Sequence, residues 1–131
     1  MTDLLRRMAL GYSTGALAAL AVLVLAWLLG QAGVGPAQAA LGRGEVFLRC
    51  AQFGLWGLSL GLFLGQGAGR VLATGTCLGL APGLWAFLHP GWPRGGSGPL
   101  GLLFLLGYCL LWGFLAALMA VSLGEPGRSR R

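Results

Sequence analysis

The sequence predicts an all-α fold: an integral membrane four-helix bundle with a glycine-packed antiparallel central hairpin. Three observations carry this expectation. First, 56% of the 131 residues are hydrophobic and only 9% are charged, with a mean hydropathy of +0.79, far from the composition of a soluble domain. Second, the few charges cut the chain into stretches 8–42, 50–69, 71–93 and 95–124 that hold no Asp, Glu, Lys or Arg, and about 20 mostly apolar residues cross a hydrocarbon core. Third, Gly57, Gly61 and Gly65 stand in mirror order to Gly83, Gly79 and Gly75 about Arg70, so a chain that folds back there sets glycine opposite glycine.

The expected helices are 8–30, 46–66, 71–88 and 100–123 within one membrane domain, 1–131. Gly11, Gly15 and Ala19 give the first of them a small-residue face. Its start has a competing reading. Arg6 and Arg7, an apolar stretch and Ala37-Gln38-Ala39 resemble a secretory signal peptide with a cleavage site after Ala39. The uncharged apolar run from Met8 to the residue before Gln31 exceeds the ~7–15 residues of a signal-peptide core, which favours a retained helix. A cleaved chain would cross three times and still end inside.

The second helix opens with Glu45 and Arg49, four residues apart with the acid first, the better order for a helical ion pair. Arg49 falls about one turn inside the apolar run, where its stem can follow the helix while the guanidinium reaches the headgroups. Trp56, Leu60 and Phe63 lie off the glycine ladder and are expected against lipid or another helix. The connection 66–70 is short and glycine-rich, which forces the next helix to return antiparallel. Apolar burial contributes little to helix association in lipid, so small-residue contact becomes a main source of affinity. Bulk on either ladder is then expected to separate this glycine zipper.

Pro82 interrupts the third helix and is expected to bend it over 78–82, since proline removes a backbone donor and clashes with the preceding turn. Residues 89–99 hold prolines and glycines and read as a loop. The last helix carries Gly113, Ala116, Ala117 and Ala120 on a close-packing face, with Tyr108 and Trp112 four apart.

All positive side-chain charge comes from arginine, and the formal net charge is +6. The arginines sit at helix ends instead of on one basic face, so nucleic acid is not the expected partner; the lipid bilayer and its anionic headgroups are. Arg49, Arg70 and Arg94, with Trp85 and Trp92 of an aromatic belt, read as interfacial anchors. Placing both termini in the cytoplasm puts Arg6, Arg7, Arg70, Arg128, Arg130 and Arg131 inside and Arg43, Arg49 and Arg94 outside, the favoured positive-inside arrangement.

Chemistry-bearing residues are sparse. Cys50, Cys77 and Cys109 are single, and His89 is the sole histidine, a set without metal-ligand spacing. Ser13, Thr14, Ser59, Thr74 and Thr76 read as helix hydroxyls bonded to backbone. No carboxylate pair or base–nucleophile set marks catalysis, so neither an enzyme nor a cofactor is expected. The apolar stretches lack the mid-membrane charge that ion-coupled transport uses. That lack separates the chain from rotary proton-ring subunits, whose glycine-rich hairpins carry a carboxylate.

The segments Leu4-Leu5-Arg6-Arg7-Met8-Ala9-Leu10-Gly11-Tyr12, Gly15-Ala16-Leu17 and Gly54-Leu55-Trp56-Gly57-Leu58 resemble those of small, uncharacterised four-helix proteins of the bacterial inner membrane. That resemblance implies a fold and a location and assigns no activity. The expected role is a non-enzymatic accessory or scaffold subunit acting by helix–helix contacts, with a homo-oligomer or a membrane protein as partner. The alternative is an oligomeric, holin-like pore or small-solute permeability factor.

Overall fold

A computed structural model describes residues 2–34, 42–88 and 99–124. Among them the chain is all-α: α1 Thr2–Gln31, α2 Arg43–Phe63, α3 Ala68–Leu88 and α4 Pro99–Gly124, with no strand. Asp3 lies in the first turn of α1, where a carboxylate favours the positive end of the helix. The helix runs 30 residues, about 45 Å, and therefore takes in Arg6 and Arg7. It stops in a Schellman turn. Gly33, at φ +75, donates to the Gly30 carbonyl at 3.2 Å while Val34 donates to Leu29 at 2.9 Å, which satisfies two of the last carbonyls.

The α2–α3 turn falls earlier than expected. α2 ends at Phe63, Leu64 is extended, and Gly65 takes φ +121, a backbone conformation that side-chain-bearing residues rarely adopt. The second helix is thus 43–63 rather than 46–66, and Arg70 lies in the first turn of α3 rather than in the connection. Gly67 caps α3 through its carbonyl, which accepts from Arg70 at 3.0 Å and Val71 at 3.2 Å. α3 continues through Pro82 as one helix.

The glycines do not pack as the mirror register predicts. A Cβ placed on Gly57 would overlap the Gly11 carbonyl of α1, and one on Gly61 would sit 2.6 Å from the Arg7 carbonyl oxygen and 2.7 Å from Met8 Cα. One on Gly15 would meet Gly57 Cα at 3.0 Å. The α3 ladder meets α4 instead. A Cβ on Gly75 would lie 2.5 Å from Ala117 Cβ and 3.0 Å from the Gly113 carbonyl oxygen, one on Gly79 would overlap the Cys109 carbonyl, and one on Gly83 would meet Cys109 Sγ at 3.1 Å. The central hairpin is therefore not glycine-packed. Its physical obstacle is Leu60: this buried side chain reaches Gly75 from α2, its Cδ1 3.2 Å from where a Cβ would be. Leu60, Leu64 and Val71 join the hydrophobic core there. Contact is accordingly most extensive between α1 and α2, then α3 and α4, and of the chain-consecutive pairs it is least between α2 and α3.

The two close pairs join across α1 and α4. Ala18, Ala19 and Val22 of α1 meet Trp112, Ala116, Ala117 and Ala120 of α4 in one core. Buried Trp112 donates its indole N–H to the Gly15 carbonyl at 2.8 Å and stacks at a tilt on Phe53 of α2, ring centroids 5.0 Å apart. One side chain thus ties three helices. Gly15 lies opposite Trp112 and Leu10 opposite Gly124, so α4 runs antiparallel to α1.

Gly11→Leu and Gly113→Leu are expected to destabilise the detergent-solubilised protein by about 3 kcal/mol or more, since inserted side chains must displace backbone. Gly107→Leu, where a Cβ meets nothing within 4 Å, should be nearly neutral. Thermal melting checks this, and a neutral Gly11→Leu would restore the hairpin as the glycine seam. Trp112→Phe loses the bond to Gly15 and part of the buried indole; its expected cost is about 2 kcal/mol or more, read from denaturant unfolding against the unaltered chain.

Candidate functional site

Among the described residues, three helices are long and apolar enough to span a membrane: Asp3–Gln31, Arg43–Phe63 and Gly101–Gly124. α3, Ala68–Leu88, carries a single charged residue, Arg70, in its first turn. Outward-facing surface is apolar on every helix, with Leu17 and Trp27 on α1, Phe47 and Leu55 on α2, Leu84 on α3, and Leu103 and Phe114 on α4 all exposed.

Polar groups within the helices are closed off locally. Thr14 is the buried polar side chain, and its hydroxyl donates to the Leu10 carbonyl at 2.9 Å and the Gly11 carbonyl at 3.2 Å. Ser13 donates to Ala9, Ser59 to Trp56, Thr76 to Leu72 and Ser122 to Leu118. Each hydroxyl thus spends its proton on its own helix, the behaviour of a packing group and not of a nucleophile. Cys109 is buried, Cys50 half-buried and Cys77 exposed, all as free thiols. Among the described residues no three His, Cys, Asp or Glu side chains group as a metal site would require.

The sequence-predicted site residues are scattered. Gly57 and Gly61 line the α1 contact, Gly75, Gly79 and Gly83 the α4 contact, and Gly65 sits in the turn against the Arg7 guanidinium, where a Cβ would lie 2.8 Å from a terminal nitrogen. Arg49 is half-buried on α2 and Arg70 exposed on α3. Trp85 is 41% exposed, an accessibility suited to an interfacial ring. Trp92, Arg94 and His89 lie outside the described residues, as do Ala37 to Ala39 of the signal-peptide reading.

Two concavities occupy opposite ends. One is a crevice of about 620 Å³ between the start of α1, the α2–α3 turn and the end of α4; Asp3, Arg6, Arg7 and Gln66 line it together with Leu10, Val71 and Val121. The other is an apolar groove of about 350 Å³ between Leu25 and Leu29 of α1 and Leu103, Phe104, Gly107 and Tyr108 of α4. Sequence reasoning missed both. The crevice had a signal, since Arg6, Arg7 and Arg70 were assigned to the same side of the membrane; the bundle brings the start of α1 and the α2–α3 turn to one end.

Compared with protein-family models, curated proteins and solved structures, the chain matches none.

The cysteines offer a direct check on this burial. A membrane-permeant maleimide should modify Cys77 well before Cys109 in intact membranes, with Cys50 between them; equal rates at Cys77 and Cys109 would place α3 and α4 wrongly. Mass spectrometry after short labelling pulses reads the order.

Proposed function

We propose that the chain is a four-pass protein of the bacterial inner membrane, with both termini cytoplasmic, that acts without catalysis as an accessory or scaffold subunit through lateral helix contacts. The observation that carries this reading is the division of surfaces. The interior is closed by small residues in backbone contact, whereas exposed large apolar side chains occur on all four helices, leaving lateral apolar contact as the main means of recognition. The apolar length of the helices supports a membrane location.

Topology supports α3 as the fourth crossing. α1 and α2 are antiparallel, α4 is antiparallel to α1, and α3 links the end of α2 to the start of α4. If α1, α2 and α4 cross, α3 must return between them, and its 21 residues span about 31 Å, enough for a ~30 Å core. The same arrangement sets Arg6, Arg7 and Arg70 on one side, in keeping with the positive-inside orientation. Spending the ladders inside the chain favours the accessory reading over the pore, which would draw on a free glycine face to oligomerise.

Cross-linking in native membranes is expected to trap one defined partner or one defined homo-oligomer. A monomer throughout, at every cross-linker length, would end the scaffold reading, and dye release from liposomes at high protein density would replace it with the pore.

A further inference from the structure

The crevice at the N-terminal end of α1 has a composition that lateral scaffolding does not explain. Its rim carries Arg6 and Arg7, both exposed, while Leu10, Val71 and Val121 furnish an apolar floor. Neither guanidinium forms a hydrogen bond or ion pair with another described residue. Arg7 lies over the turn glycine Gly65, so the absence of a side chain there leaves room for its planar head. Helix dipoles do not account for the field at this end. α1 and α3 begin here and α2 and α4 finish here, so their partial charges oppose one another. Among the described lining residues the net positive charge comes from the arginine pair, against the carboxylate of Asp3.

A guanidinium fork matches the geometry of a phosphate oxygen pair, and the crevice volume of about 620 Å³ falls within the usual range for small-molecule sites, about 300–1,000 Å³. A rim of forked cations over an apolar floor fits an amphiphile with a phosphate at one end and hydrocarbon at the other. We propose that this crevice binds a phosphate-bearing anion, namely the headgroup of an anionic phospholipid, with Arg6 and Arg7 on the phosphate and the glycerol and first methylenes against Leu10, Val71 and Val121. The proposal rests on the membrane placement above but not on the accessory role, so failure in cross-linking leaves it standing.

The test uses the full chain in detergent, with phosphatidylglycerol, phosphatidylcholine and sodium phosphate as probes, read by thermal melting and by native mass spectrometry of retained lipid. Phosphatidylglycerol should raise the melting temperature and remain bound where phosphatidylcholine does not, with the difference shrinking at high salt. Arg6→Gln/Arg7→Gln should weaken phosphatidylglycerol about five-fold for each charge removed. Arg6→Lys/Arg7→Lys should recover only part of it, since lysine restores the charge and not the fork, and Arg43→Gln at the opposite end should change nothing. Equal protection by sodium phosphate would keep the anion site and assign it to a free phosphate instead of a lipid. Equal binding of both lipids by the unaltered chain, or equal losses in Arg43→Gln and Arg6→Gln/Arg7→Gln, would overturn the proposal. The salt dependence of the unaltered chain tests the same point without any variant.

Discussion

Backbone contact between glycines is the constraint on which the rest of this bundle depends. Gly11 and Gly15 of α1 lie against Gly57 and Gly61 of α2, and Gly113 of α4 lies against Gly75 and Gly79 of α3, each so close that a methyl group would strike main-chain atoms. In lipid the tails are as apolar as leucine, so dispersion at close approach replaces the hydrophobic effect as the force that holds helices together. Two tight pairs result, α1 with α2 and α3 with α4. The alanines at 18, 19, 116, 117 and 120 then let the pairs approach, and Trp112 fixes their register by reaching the Gly15 carbonyl. Glycine at position 15 serves both contacts, since the helix surface around its carbonyl is left open to an indole.

Charge placement made the helices readable, because Arg, Asp and Glu are costly in hydrocarbon and therefore mark the ends of apolar stretches. Choosing partners was harder. The ladder 57–61–65 can be mirrored on 75–79–83, but Gly11 and Gly15 mirror Gly61 and Gly57 equally well, and periodicity alone does not rank the registers. Leu60 ranks them: one buried leucine between α2 and α3 holds those helices apart and turns the α2 glycines toward α1. The Gly65 turn shows the same limit. Any of several glycines in 65–69 could have taken the positive φ, and which one does depends on where α2 can end with its last carbonyls satisfied. The crevice required tertiary structure, as its walls come from residues over a hundred positions apart.

The shape of α3 follows from its packing, since glycine and threonine let a helix approach a neighbour closely. Such a helix relies on company. Thr76 returns its hydroxyl to the Leu72 carbonyl, and Gly75, Gly79 and Gly83 are covered by α4, which removes the exposed backbone that lipid would penalise. The place of α3 is thus coupled to its docking on α4, with the short turn at Gly65–Gly67 holding it beside α2.

This coupling bears on what the protein can offer other molecules. Small residues that might have recruited a second helix are consumed in folding, so the outward surface is mainly large, flexible apolar side chains, which suit lipid and broad lateral contacts better than a sharply specific helix dimer. Specific polar recognition is concentrated instead at the end of the bundle where α1 begins. There the arginines stand beside the turn that α2 and α3 share, and anything bound between them would bridge α1 to the α2–α3 connection.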